Sequence, residues 1–301
     1  MKIFAYLIFL LFTKSFITAT NYYVAVSYGS DTNNGLSINA PFKTIGKAAS
    51  VMSSGDICYI RQGRYHETIS IDNLDGTSSA PVIFTNYNNE RVVIDGTIPI
   101  TSTWTQVGSS NLWRTKLTQD IWQLFINWEE QVMARWPNAK FSDGTIWDND
   151  NYWAKGTIDD DENAYSNGTL IDDPYTNSAG TLISLSAQGF DLDETNKEAI
   201  AILNLGSFRT WSRLVTNHSG NTFNYATVPN WKTKHHYYYF EGRKEFLDQE
   251  GEWWYDTYNN KDSLYYVAAS GVDPNKLDFR GKVQSYAFSV NASEYLQIKN
   301  L

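Results

Sequence analysis

The sequence of 301 residues predicts an all-β protein whose short strands stack coil upon coil. Short β-rich runs begin near residues 57, 68, 82 and 92, which is the spacing expected for successive coils of a solenoid. Phe, Trp and Tyr make up 15% of the chain, and aromatic residues are enriched in strands. Cys58 is the one cysteine, so a long hydrophobic core must stabilise the fold without an internal disulfide.

The first residues predict a signal peptide over residues 1–20. Lys2 precedes an apolar run over residues 3–12, and small residues around Ala19 suit cleavage before Asn21. The alternative is a membrane anchor, but this run is shorter than the roughly 20 apolar residues that span a bilayer. We therefore expect a secreted, extracellular protein (periplasmic in a bacterium) that has no membrane association after cleavage.

The segment after the signal peptide alternates strands with turns. A first strand over residues 22–26 precedes a polar turn that ends at Gly35. Pro41 then opens a stretch with apolar residues at 42, 45, 48, 49 and 52, which predicts a helix over residues 41–52. Gly55 ends this helix, and strands are predicted at 57–60, 68–71, 81–86 and 92–94.

Residues 30–67 carry a recognisable series of short motifs. In order these are Asp31-Thr32-Asn33-Asn34-Gly35, Pro41-Phe42-Lys43-Thr44-Ile45, Gly55-Asp56 and Gly63-Arg64-Tyr65-His66-Glu67. The series resembles the N-terminal signature of right-handed parallel β-helix proteins of the pectate-lyase-like kind. The resemblance implies a cap helix and the first β-helix coils over residues 21–97. It leaves the chemistry open, because this scaffold carries lyases, hydrolases, epimerases and binding proteins.

Two later segments resemble a more specific group of β-helix proteins. Residues 121–138, which include Gln123-Leu124-Phe125 and Ala134-Arg135-Trp136-Pro137-Asn138, are similar to a block in β-helix glycoside hydrolases and their uncharacterised relatives. Residues 240–267, which include Gly251-Glu252-Trp253-Trp254-Tyr255-Asp256, resemble a second block of the same group. Trp128 and Glu129 stand where that group usually has a glycine, which suggests a different turn.

The resemblance implies a β-rich insertion over residues 98–285 and the start of the continuing β-helix over residues 286–301. In that family the main stack of coils begins here, so we expect this chain to be an N-terminal portion, truncated before the stack. The catalytic residues of the family lie mainly beyond this point. We therefore expect them to be absent and name no catalytic residue.

Five residues are candidates for contacts with substrate: Arg135, Trp136, His235, Trp253 and Trp254. A guanidinium can bind a carboxylate or sugar hydroxyls, and Trp136 can stack beside it. The competing interpretation for Arg135 is structural, with the arginine fixing the insertion onto the coils through a buried carboxylate. His235 is a candidate acid, base or hydrogen-bonding group, against an ordinary surface or packing role.

The other polar clusters in the sequence are weaker evidence for a functional site. Six carboxylates between Glu241 and Asp256 lie beside two tryptophans, but sequence alone does not place any two at the separation that glycosidases need. We expect no metal site and no cofactor, since the chain has four histidines and one cysteine and its acidic loops lack the spacing of a calcium-binding loop. Asn167, Asn217 and Asn291 begin N-glycosylation sequons, which matter only in a eukaryotic source.

Charge and aromatic content indicate the class of partner. The net charge of −9 disfavours nucleic acid and anionic membranes, and it also disfavours strongly acidic polysaccharides. Eleven tryptophans and 20 tyrosines suit the packing of rings against the apolar faces of sugars. The leading hypothesis is a secreted, polysaccharide-active protein of the β-helix glycoside hydrolase type. The alternatives are a noncatalytic carbohydrate-binding or surface-adhesion protein and, more weakly, a polysaccharide lyase.

Overall fold

The computed structural model describes residues 18–157, 168–194, 199–206, 209–228, 237–256 and 262–301. The chain divides into two compact units. The parallel unit comprises Met1–Thr97 and Gln284–Leu301, and the barrel unit comprises Ile98–Val283. Most of the predicted signal peptide, residues 1–17, lies outside the described residues. Within the described ranges, no helix has the length and apolar character needed to cross a membrane.

The described residues are almost entirely strands and loops, which confirms the all-β prediction. The strands are β1 (Asn21–Val24), β2 (Ile57–Ile60), β3 (Gly63–Tyr65), β4 (Ile69–Asp72), β5 (Val82–Asn86), β6 (Val92–Ile94), β7 (Thr97–Pro99), β8 (Thr105–Gln106), β9 (Leu112–Lys116), β10 (Leu124–Ile126), β11 (Glu129–Gln131), β12 (Arg135–Trp136), β13 (Ala154–Thr157), β14 (Thr169–Asp172), β15 (Tyr175–Thr176), β16 (Leu182–Ile183), β17 (Ile200–Gly206), β18 (Arg209–Ser219), β19 (Thr222–Tyr225), β20 (Tyr237–Glu241), β21 (Trp253–Asp256), β22 (Ser263–Val267), β23 (Phe279–Lys282), β24 (Phe288–Asn291) and β25 (Leu296–Lys299). The helices are α1 (Ile45–Ala49) and α2 (Asn149–Tyr152), with 3₁₀ turns at Thr145–Trp147, Lys244–Phe246 and Pro274–Lys276.

Three parallel sheets build the parallel unit. β1, β2, β5 and β25 form one sheet in that order, β3 pairs with β6, and β4 pairs with β24. The register aligns Cys58 with Phe84, and Phe84 with Ile298. Cys58 and Phe84 are fully buried, because alternate residues of each strand point into one shared core. Strands from both ends of the chain therefore contribute to this core.

Helix α1 is shorter than the helix predicted over residues 41–52. Phe42 forms a parallel bridge with Val24, and Thr44 is extended with a ψ of 147°, so helical geometry begins only at Ile45. Two carboxylates then bond the free N–H groups around the helix start. Asp31 accepts hydrogen bonds from the N–H groups of Lys43 and Thr44 (both 2.9 Å), and Glu67 accepts from those of residues 45 and 46.

A closed antiparallel barrel forms the larger core of the barrel unit. Its six strands pair in the order β20, β13, β14, β19, β18 and β17, and β17 pairs back onto β20 to close the ring. Strand β12 extends the sheet beside β20. The interior is filled by large side chains such as Phe223, Tyr238 and Phe240, all fully buried. The sequence pattern predicts a β-rich segment here but does not predict the barrel.

Two further four-stranded sheets lie in the same region of the chain. One has the order β11, β10, β23 and β7, and the other has the order β21, β22, β9 and β8. Their shared apolar cluster includes Trp104, Trp253, Leu264 and Phe279. The unit therefore has a second core, separate from the interior of the barrel.

Candidate functional site

A cleft in the barrel unit is the strongest candidate for a binding site. It has a volume of about 350 Å³. Aromatic side chains dominate its lining: Trp122, Phe141, Trp147, Trp153, Tyr239 and Trp253. Its charged lining residues are Glu130, Arg135 and Glu241. A largely apolar pocket with a few convergent polar groups is the usual form of a site for a small organic ligand. We call this site the aromatic cleft.

Two tryptophans of the aromatic cleft are exposed to solvent. Trp147 is 77% exposed and Trp122 is 51% exposed. Trp147 lies in the 3₁₀ turn Thr145–Trp147, which begins after Gly144 in the left-handed region at φ 77°. Its neighbour Asp148 caps helix α2 by accepting a hydrogen bond from the N–H of Asn151. This local sequence holds an indole out of the core, where its face is available to a ligand.

Arg135 is a buried charge in the wall of the aromatic cleft, with 1% of its surface exposed. Its Nε donates a hydrogen bond to the carbonyl of Pro137 (2.8 Å), and its Nη2 donates to the carbonyl of Tyr152 (3.0 Å). The guanidinium carbon lies 3.7 Å from the centroid of the Tyr239 ring. Burial lowers the pKa of Arg135 from 12.5 to about 10, which still leaves it charged at neutral pH.

Glu241 lies beside Arg135 in the cleft. The two residues are partners in the antiparallel pair of β12 and β20. Burial raises the pKa of the Glu241 carboxyl, and the positive charge of Arg135 partly offsets this increase. The carboxylate has no hydrogen bond or ion pair with any residue in the described ranges. An acceptor without a protein donor is therefore present in the lining of the cleft.

Glu252 has a structural role next to the cleft. Its carboxylate accepts hydrogen bonds from the N–H groups of Asp248 (3.1 Å), Gln249 (3.0 Å) and, more distantly, Arg135 (3.4 Å). Burial raises its pKa from 4.5 to about 7. These bonds tie the loop before β21 to strand β12, so both oxygens of Glu252 have protein donors. This residue fixes the backbone that carries Arg135.

The structure separates the five predicted substrate contacts. Arg135 and Trp253 line the cleft, although Trp253 is almost fully buried and its Nε1 donates to the carbonyl of Gln131 (3.1 Å). Trp136 instead packs in the barrel core, where its ring stacks on Phe240. Trp254 packs against the same core and donates its Nε1 hydrogen to the carbonyl of Gly242 (3.0 Å). His235 lies outside the described residues.

Sequence reasoning did not select Trp122, Trp147, Trp153 or Tyr239. One signal was present for Trp147, which lies between Asp143 and Asp148 in an acidic stretch, where a buried tryptophan is not expected. The sequons that begin at Asn217 and Asn291 are on exposed residues, and Asn167 lies outside the described residues. Glycosylation remains a prediction. Among the described residues, no three His, Cys, Asp or Glu side chains form a group that could hold a metal ion.

Comparisons with known proteins give a shared fold and one short sequence match. No family model matches the chain. A segment of 68 residues, 23% of the chain, is 43% identical to "Uncharacterized protein YwoF" of Bacillus subtilis (strain 168) and covers 14% of that protein. A solved structure described as "Glycoside hydrolase" aligns with 94% of the chain at 16% identity and a TM-score of 0.64. A complex of XylC with xylose aligns with 89% of the chain and 32% of its own at 17% identity, with a TM-score of 0.43.

The chain therefore shares the fold of a solved glycoside hydrolase. It spans 50% of the length of that chain and 14% of the length of YwoF. At 16% identity, the structural match establishes the fold and not the activity.

Proposed function

We propose that this chain is part of a secreted, polysaccharide-active protein, and that the aromatic cleft binds a glycan. The observation that carries the proposal is the pairing of exposed indoles, Trp122 and Trp147, with the buried Arg135 and the half-buried Glu241 in one cleft. Indole faces pack against the C–H faces of sugar rings, and buried polar groups fix orientation through hydrogen bonds to hydroxyls. A glycan offers both kinds of surface on every sugar unit.

The proposal extends to the architecture of the parallel unit. Its three parallel sheets and the helix α1 support an assignment as the cap and first coils of a right-handed parallel β-helix. The fold shared with a solved glycoside hydrolase supports an assignment as the N-terminal part of such an enzyme. Under this proposal the catalytic carboxylates belong to coils outside the described residues, and the barrel unit contributes to substrate binding.

Noncatalytic binding is the second candidate, and the carboxylates near the cleft favour it for this unit. Glycoside hydrolysis uses two carboxylates, roughly 5–10 Å apart. Glu130 accepts a hydrogen bond from Gln123, and Glu252 accepts bonds from backbone amides. In the described part of the cleft, Glu241 is the carboxylate without a protein donor. One such carboxylate suits ligand binding better than acid–base hydrolysis.

The test is a binding and activity screen of the full chain on plant and algal glycans. Binding is measured by affinity electrophoresis, hydrolysis by release of reducing ends, and lyase activity by the absorbance of unsaturated products. Trp147→Ala is expected to weaken binding at least tenfold, since stacking on one aromatic ring contributes about 1–2 kcal/mol or more in a binding site. Trp128→Ala is the matched control, because Trp128 is 46% exposed but lies outside the lining of the cleft. Equal loss in both variants, or no binding to any glycan, would overturn the proposal.

A further inference from the structure

Two buried N–H donors that line the aromatic cleft have no acceptor in the protein. Nη1 of Arg135 and Nε1 of Trp153 are both buried, and neither has a hydrogen-bond partner among the described residues. Leaving a buried donor without a partner costs free energy, so each such group needs an explanation. The other two nitrogens of the Arg135 guanidinium already donate to protein carbonyls. Both side chains line the cleft, so a ligand bound there lies next to the side chains that carry the remaining N–H groups.

The two side chains that carry these donors lie side by side. The guanidinium carbon of Arg135 lies 5.8 Å from the centroid of the Trp153 ring. The Trp153 ring in turn meets the Tyr239 ring edge to face, with centroids 4.6 Å apart. The side chains that carry the two donors are therefore neighbours in the wall of the cleft.

An acceptor accompanies the donors. The Glu241 carboxylate lines the same cleft and has no protein donor within the described ranges. A ligand that pairs with all three groups accepts hydrogen bonds from the N–H groups and donates one to the carboxylate. A sugar hydroxyl does both, since it has one donor hydrogen and two acceptor lone pairs. A sulfate or a carboxylate only accepts.

The charges in the lining also favour an uncharged ligand. Arg135 supplies one positive charge, while Glu130 and Glu241 supply two carboxylates. A uronate or sulfate group would add a further negative charge to a site with one guanidinium, and like charges in a desolvated site repel strongly. The chain as a whole carries a net charge of −9, so its long-range field does not attract polyanions.

We propose that the aromatic cleft selects a neutral sugar unit, held by two neighbouring hydroxyls, and discriminates against uronate and sulfated sugars. One hydroxyl accepts from Nη1 of Arg135 and donates to Glu241, and the other accepts from Nε1 of Trp153. This specificity rests on the glycan-binding function proposed above and names its substrate class. It makes Arg135, Trp153 and Glu241 specificity-determining residues.

The experiment compares matched pairs of oligosaccharides by isothermal titration calorimetry on the full chain. Each neutral trisaccharide (glucose, galactose or mannose units) is paired with its uronate counterpart, in which a carboxylate replaces the C6 hydroxymethyl group. The neutral member of the pair that binds is expected to bind at least tenfold more tightly at 150 mM salt. Tighter binding of the uronate member would overturn the proposal.

The variants separate specificity from folding. Trp153→Phe deletes the unpaired N–H and keeps an aromatic ring, and it is expected to weaken binding of the neutral sugar roughly 5–15-fold, as for one lost hydrogen bond. Trp104→Phe is the matched control, because Trp104 Nε1 is also buried without a partner but Trp104 does not line the aromatic cleft. Glu241→Gln tests the acceptor and is expected to weaken binding of the neutral sugar and to reduce the discrimination against the uronate.

The outcomes distinguish this inference from the proposed function. If no glycan binds and Trp147→Ala has no effect, the proposed function itself fails. If glycans bind through Trp147 but Trp153→Phe and Glu241→Gln match the wild type, then ordered water satisfies these groups and the inference fails alone. For Arg135→Lys, the melting temperature is measured together with the glycan affinity, so that loss of fold is not counted as loss of binding.

Discussion

The guanidinium of Arg135 stacks on the ring of Tyr239, with 3.7 Å between the guanidinium carbon and the ring centroid. This contact and two backbone carbonyls hold the buried positive charge of Arg135. Within the described ranges, none of the hydrogen bonds from its side chain goes to a carboxylate. A cation over an aromatic face is attracted by the ring quadrupole, more strongly when water is excluded. The same burial raises the pKa of Tyr239 to about 12, so the ring stays neutral and keeps its hydroxyl hydrogen. The polar wall of the aromatic cleft is therefore preorganised by an aromatic residue.

The first prediction concerns this stacking. Tyr239→Leu removes the aromatic face and is expected to lower the free energy of unfolding by about 2 kcal/mol or more, the value of a desolvated cation–π contact plus lost packing. Tyr239→Phe keeps the face and is expected to cost less than half as much. Urea unfolding followed by tryptophan fluorescence measures both. Equal losses would mean that the hydroxyl, and not the ring face, holds Arg135.

The second prediction concerns the start of helix α1. The two carboxylate oxygens of Glu67 accept hydrogen bonds from the N–H groups of Ile45 and Gly46, each at 2.9 Å. Glu67→Ala leaves both donors without this partner and is expected to destabilise the protein by about 1–2 kcal/mol, as for a lost N-cap with its favourable helix-dipole interaction. Thermal unfolding measures the loss. Glu294→Ala, at an exposed side chain, is the control and should stay within about 0.5 kcal/mol of the wild type.

The third prediction is a pH dependence from Glu252. Its pKa is about 7 in the folded protein against 4.5 ordinarily, so between these pH values the folded state retains a proton that the unfolded state has lost. Stability from this group is therefore fully present below about pH 4.5 and falls as pH rises to about 7, with a slope of at most about 1.4 kcal/mol per pH unit.

The test compares the wild type with Glu252→Gln in urea at several pH values from 4.5 to 8. The glutamine carries no titratable proton, so the difference in the free energy of unfolding between the two proteins should change over this range. Glu241 and Asp172, whose pKa values are also raised by burial, are present in both proteins and cancel in the difference. A constant difference between the two curves would contradict the assignment to Glu252.

The sequence motifs predicted the strands of the parallel unit well, because alternation within a strand is a local property. The strand predicted at residues 57–60 coincides with β2 (Ile57–Ile60). The start of α1 was predicted too early, at residue 41, since the Glu67 carboxylate that binds the Gly46 amide lies 21 residues away in the sequence. Gly35 in the polar turn has a φ of 70°, and a Cβ at this position would clash with the Phe42 ring. The motif residues therefore depend on each other through contacts that only the fold reveals.

The candidate site was less predictable than the strands. Arg135 and Trp136 were selected together, yet neighbouring residues of a strand point to opposite faces. The structure places Arg135 in the cleft and Trp136 in the barrel core. Which residue would face the cleft depends on the pairing of β12 with β20, about 100 residues later, and no local pattern encodes that pairing. For the same reason, the pairing of β17 with β20 that closes the barrel could not be predicted from the sequence.

The fourth prediction concerns a polar pair in the barrel core. The hydroxyl of Tyr238 donates a hydrogen bond to Asp172, and both side chains are buried. The other carboxylate oxygen of Asp172 accepts from the N–H of Leu185 at 2.8 Å. Tyr238→Phe is expected to destabilise the protein by about 1–3 kcal/mol, because it leaves a buried carboxylate oxygen without its donor.

A double-mutant cycle with Asp172→Asn tests that reason. The asparagine retains an acceptor for the N–H of Leu185 but carries no charge. Loss of the Tyr238 hydroxyl therefore leaves a neutral amide unpaired, which costs less free energy than an unpaired carboxylate. The double variant should therefore be more stable than the sum of the single changes predicts, by about 1 kcal/mol, as for residues in direct contact. Additive changes in the free energy of unfolding would show that Tyr238→Phe destabilises the protein through packing in the barrel, and that the carboxylate does not depend on the hydroxyl.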